Sequence, residues 1–97
     1  MKPIRFHAEA RAEVLAVGDW YENEELGLQR EFAGEVALAL KRVQAQPDLH
    51  REVEGGVRKC RVTRFPYALL YRVGESEIEI VAVMHLHREP GYWRIRL

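Results

Sequence analysis

Arg64-Phe65-Pro66-Tyr67-Ala68-Leu69-Leu70-Tyr71-Arg72-Val73 is the stretch on which the reading of this chain turns. Pro66 has no N–H to give a sheet ladder and its ring fixes φ, so Phe65-Pro66 makes a turn and a strand begins after it. Beyond the turn, Tyr67, Leu69, Tyr71 and Val73 share one face, while Ala68, Leu70 and Arg72 share the other. Both faces are largely apolar, which places this strand in the middle of a sheet.

Further strands lie on either side of it. Val57–Arg64 alternates, with Cys60 and Val62 on an apolar face and Lys59, Arg61 and Thr63 on a cationic one. A short turn at Gly74-Glu75-Ser76 leads into Glu77–His85, where Ile78, Ile80, Ala82 and Met84 alternate with Glu79, Val81, Val83 and His85. Three strands joined by tight turns predict an antiparallel meander. Leu49–Gly56 reads as a polar loop closed by Gly55-Gly56. The chain turns again at Pro90-Gly91 and then alternates Trp93, Ile95 and Leu97 with Arg94 and Arg96.

The first half follows another period. Lys2–Phe6 reads as an edge strand. Ala10, Val14, Val17 and Tyr21 then form one stripe at helical spacing between Ala8 and about Glu25. A second helix, Leu28 to about Gln46, carries the stripe Leu28, Phe32, Val36, Leu40 and Val43, with Ala33, Ala37 and Ala39 permitting close approach. Gly27 separates the two, and so short a connection predicts an antiparallel helical hairpin. Asp19, Glu22, Glu24 and Glu25 gather at the negative end of the first helix's dipole, a misfit that reads first as a frayed, solvated helix end and otherwise as an interaction surface. The expected architecture is a two-layer α+β domain over residues 1–97, β-α-α-β-β-β, with the hairpin on one face of an antiparallel sheet. The other face and the tail are left for a partner.

Composition narrows the function. The 97 residues, 47% hydrophobic and 31% charged, suit a single folded domain. A chain of this size buries roughly 60–65% of its extended surface. No apolar run is long enough for a signal peptide or a membrane span, so the cytoplasm is the expected location. Cys60 is the sole cysteine, which excludes an internal disulfide and a zinc site built on a Cys pair. His85-x-His87 lacks a third ligand at a readable spacing, so no metal, cofactor or small molecule is expected. The formal net charge of zero hides a split: residues 1–54 hold seven cations against eleven acids, and residues 55–97 hold eight against four. A local field of that kind steers anionic partners in spite of overall neutrality.

Three segments in series carry a family likeness. Asp19-Trp20-Tyr21-Glu22, then Arg64-Phe65-Pro66-Tyr67 running into Leu70-Tyr71, then His85-x-x-Arg88-x-Pro90-x-Tyr92-Trp93 resemble the RelE/ParE superfamily, the small toxins of bacterial type II toxin–antitoxin modules, also called plasmid stabilisation proteins. The resemblance implies a helical hairpin on a twisted antiparallel sheet, with the first strand beside the last. It also implies a cognate antitoxin whose C-terminal segment folds on the toxin. Its members divide by target: ParE-like toxins inhibit growth by poisoning DNA gyrase, and RelE-like toxins cut mRNA on the ribosome. ParE-like growth inhibition is the first expectation; a RelE-like endoribonuclease, or an inactive member that only binds its antitoxin, is the alternative.

RNA cleavage by 2′-OH attack requires an acid, a base and cations for the charge on phosphorus. If the protein is a nuclease, His85, Arg61, Lys59 and Tyr92 are the expected catalytic residues, His85 lying where the family's nucleases place theirs. Arg58, Arg64, Arg72 and Arg88 are candidates for binding phosphate or a partner. Trp93, Ile95 and Leu97 are candidates for gripping the antitoxin. Against a nuclease stand the neutral charge, since polyanion contact dominates affinity for nucleic acid, and the presence of only one lysine on the cationic strand.

Overall fold

In the computed structural model, which describes all 97 residues, the chain runs β1 (Ile4–Phe6), α1 (Ala8–Glu24), α2 (Leu28–Ala45), β2 (Glu52–Glu54), β3 (Val57–Arg61), β4 (Tyr67–Val73) and β5 (Ile78–His85), and ends in a 3-10 turn, Tyr92–Arg96. The sheet order is β1-β5-β4-β3-β2, so the strand after Pro66 is central, as its two apolar faces require. β2 to β5 form an antiparallel meander. β1 is the exception: it pairs parallel to β5, Ile4 opposite Ile78 and Phe6 opposite Ile80, so the sheet is mixed rather than antiparallel. The helical hairpin between β1 and the meander returns the chain to the far edge, which leaves β5 and β1 side by side in the same direction. No helix is long and apolar enough to cross a membrane.

Both helices bury the stripes read from their sequences. Ala10 and Phe32, Val36 and Val43 pack on Cys60, Leu69, Tyr71, Ile78 and Ile80, with Val14, Val17, Tyr21 and Leu28 at the margin. This is the inner core, between the hairpin and one sheet face. Of the three alanines in α2, Ala39 is buried toward β3 while Ala33 and Ala37 are exposed. The acidic end of α1 has a local explanation. The Glu22 carboxylate accepts the N–H groups of Gly27 and Gln29 at 3.0–3.1 Å, capping α2 at its positive end. Gly27, at φ 91°, makes the reversal that brings the two helix ends together.

The structure departs from the sequence reading in three further places. Leu49–Gly56 is not all loop: Glu52–Glu54 pairs with β3 through the Gly55-Gly56 turn as a short edge strand. A register shift in the β4–β5 pairing leaves Val81 without a partner residue, since Tyr71 faces Ile80 and Leu70 faces Ala82. This bulge interrupts the alternation in β5. Ile78 and Ile80 face the hairpin, Val81 and Ala82 face outward, and Val83 turns inward again. Finally, the alternation of apolar and basic residues in the tail does not sort them onto two faces. The segment is a 3-10 turn that lays Trp93 on the outer sheet face, where a second core forms from Val57, Leu70, Val81, Ala82 and Trp93. The chain's own terminus thus covers part of the face expected to be bare.

Candidate functional site

Register decides which candidate residues meet. Lys59 pairs with Leu70 and Leu70 with Ala82; Arg61 pairs with Ala68 and Ala68 with Met84. Leu70, Ala82 and Met84 belong to the second core, so Lys59 and Arg61 stand on the outer face. His85 pairs with Tyr67, and the two rings meet edge-on at 5.0 Å on the hairpin side. Its Nδ1 accepts the His87 N–H at 3.0 Å. The imidazole and the two cations are therefore on opposite faces of the sheet. The Val81 bulge contributes to this, because the residues on its two sides follow different parities.

Tyr92 is occupied elsewhere. Its hydroxyl donates to Glu13 at 2.7 Å, and burial together with that carboxylate pushes its pKa upward. The guanidinium of Arg88 lies 3.7 Å from the centre of its ring, with that of Arg96 at 5.0 Å. Glu13 also accepts from both Arg96 nitrogens at 2.9 Å and from the Val83 N–H at 2.9 Å, while Arg96 donates to the Val81 carbonyl at 3.0 Å. β1 ends opposite Ile80, so beyond that point β5 has an unpaired edge. Glu13 and Arg96 supply the missing acceptor and donor there. Burial alone would raise the Glu13 pKa; the hydrogen bonds from Arg96, Val83 and Tyr92 outweigh it and hold it below the usual carboxylate range.

The remaining arginine candidates are mostly committed to the fold. Arg58 points to the hairpin side and donates to the carbonyls of Asp48 (3.2 Å) and His50 (2.8 Å). Arg64, in the left-handed region at φ 74°, pairs with Glu31 at 2.6 Å and Glu35 at 3.8 Å on α2. Arg72 pairs with the buried Glu79 at 2.8 Å, which Arg5 also meets at 3.1 Å. Arg94 grips Glu54 through two hydrogen bonds, 2.6 and 2.8 Å, tying the terminal turn to the β2–β3 hairpin.

Of the three tail residues, Trp93 is 3% exposed and serves the second core, whereas Ile95 is 93% and Leu97 47% exposed. Beside Trp93 a cleft of about 230 Å³ opens on the outer face, lined by Val53, Lys59, Leu70, Met84 and Pro90. The sequence reading overlooked the roles of Glu13 and Glu54, and took Glu22 as part of an acidic cluster rather than as the cap of α2. Glu22 carries a legible signal, an acid just before a glycine-led helix start; Glu13 and Arg96 are 83 residues apart, and nothing local links them. No three His, Cys, Asp or Glu side chains converge as a metal cradle.

Two helices lie across one face of a five-stranded sheet and a terminal turn lies on the other, an α+β fold with solved counterparts. A solved structure described as "Chromosomal ParDE TA system from P. aeruginosa" superposes with a TM-score of 0.66 at 20% identity, over 90% of this chain and 98% of that one. A search of the curated proteins returns no match. The profile described as ParE toxin of type II toxin-antitoxin system, parDE, matches residues 4–90, and the chain belongs to that family.

Proposed function

We propose that this toxin arrests growth by binding a protein in the bacterial cytoplasm, with DNA gyrase as the family precedent, and that a cognate antitoxin neutralises it by folding a C-terminal segment onto its surface. One observation carries the reading: the groups a nuclease would need are not on one surface. His85 lies on the hairpin side of the sheet, Lys59 and Arg61 on the outer side, and the Tyr92 hydroxyl is bound to Glu13. An acid and a base must lie within hydrogen-bond reach of the same phosphate and hydroxyl, and a sheet between them prevents that. Binding a protein requires no such convergence, only a complementary surface.

The test is induced expression without antitoxin. An SOS reporter should respond, primer extension on mRNA should show no new ends, and His85→Ala should arrest growth as wild type does. New mRNA ends that vanish with His85→Ala would overturn the reading in favour of a ribosome-dependent endoribonuclease. Absence of any growth arrest would mark an inactive family member.

A further inference from the structure

The eight cations of residues 55–97 are not equivalent. Arg64, Arg72, Arg94 and Arg96 each hold a carboxylate of this chain. Arg58 is spent on two carbonyls, and Arg88 lies on the Tyr92 ring. Lys59 and Arg61 remain, two residues apart on the outer face, with no carboxylate and no side-chain hydrogen bond. The nearby acids cannot serve them: Glu54 is held by Arg94 through both oxygens, and Glu13 by Arg96.

Lys59 lines a cleft of mixed character whose one acid, Glu54, is held by Arg94. Lys59 is half-buried in its wall, with Val53, Leu70, Met84, Pro90 and Trp93 around it, and Arg61 is exposed one pleat further along β3. The volume of about 230 Å³ falls under the roughly 300–1,000 Å³ of ordinary small-molecule pockets, and suits a side chain or two. We propose that this cleft receives an extended segment of a partner protein, with an aspartate or glutamate on Lys59 and Arg61 and an adjacent aliphatic side chain among Val53, Met84 and Trp93.

Charge complementarity selects that occupant. A carboxylate needs one or two cations; a nucleic-acid strand needs a track of them and aromatic faces for its bases. Here the track stops at two. Trp93 is buried, and the Tyr92 ring is already covered by Arg88. A half-desolvated ammonium gains more from a carboxylate than an exposed one does, and the apolar walls gain from an alkyl neighbour. The proposal rests on the protein-binding reading above and specifies the chemistry of the partner.

The test uses the full chain. A random dodecapeptide display library is selected against the wild-type protein and counter-selected against the Lys59→Gln/Arg61→Gln double variant, whose melting temperature is checked against wild type. The expected consensus is an acid next to Leu, Ile or Val. The synthetic peptide should shift the resonances of Met84 and the Trp93 indole, and should bind about tenfold more weakly to the double variant or when its acid is changed to the amide. A consensus without an acid, no enriched sequence, or equal binding to the double variant would overturn the proposal. So would a twelve-residue oligouridylate that binds the same face and competes with the peptide. Peptide binding as expected, together with mRNA cleavage in cells, would remove the gyrase reading and leave the cleft assignment standing. A gyrase-type response without peptide binding would do the reverse.

Discussion

Glu13 gives the clearest stability prediction of any single residue. Its carboxylate receives hydrogen bonds from Arg96, Val83 and Tyr92, so its folded pKa lies below the unfolded one. A depressed carboxylate contributes stability in full above the unfolded value of ~4.3 and loses it as pH falls through the folded value. Glu13→Gln is expected to cost about 2–3 kcal/mol at neutral pH, because it leaves a half-buried guanidinium and a strand N–H poorly paired. Urea unfolding at pH 7 and pH 3 checks this: the gap between variant and wild type should narrow in acid, and curves that stay parallel would remove Glu13 from the role. Tyr71 makes the opposite prediction. Its hydroxyl donates to the Pro47 carbonyl at 2.5 Å, and its pKa is pushed up to about 12, chiefly by burial. A phenol raised in this way contributes stability below about pH 10 that is lost between roughly pH 10 and 12. Tyr71→Phe should cost about 1–2 kcal/mol at neutral pH and flatten that alkaline loss.

At the scale of elements, the terminal turn and the β5 bulge matter most. The turn covers part of the outer sheet face chiefly through its one buried side chain, so Trp93→Ala should cost about 3–5 kcal/mol by chemical denaturation. Ile95 belongs to the same turn but is 93% exposed, and Ile95→Ala should leave stability within about 0.5 kcal/mol. If the antitoxin grips this residue, co-purification with it should weaken in that variant at unchanged stability. The segment alternates apolar and basic residues at strand period, but it adds no strand to the sheet. β1 pairs with β5 only as far as Ile80, and beyond that point the side chains of Glu13 and Arg96 already occupy the β5 edge. The Val81 bulge is equally hidden. Every residue from Ile78 to Val83 is buried whichever way it points, so apolar pattern alone carries no record of the shift.

Across the whole molecule, protection should follow coverage. β4 is central and buried on both faces, whereas β2 is three exposed residues at the edge. Native-state hydrogen exchange should therefore find the slowest amides in β4 and the facing half of β5, and the fastest among strands in β2. Equal protection in β2 would contradict this layering. The sequence by itself determined the two helices, the central strand and the meander, because period and turn chemistry act over a few residues and every apolar stripe had one face to bury. It also marked the cationic strand that carries Lys59 and Arg61. Only the tertiary structure decided that β1 runs parallel to β5, that Trp93 packs on the outer face, that His85 lies across the sheet from those cations, and that, among the cations of residues 55–97, Lys59 and Arg61 are the two with no carboxylate, carbonyl or ring as a partner. These depend on strand register and on partners many tens of residues apart, and a contact that exists only after the chain has folded leaves no local pattern.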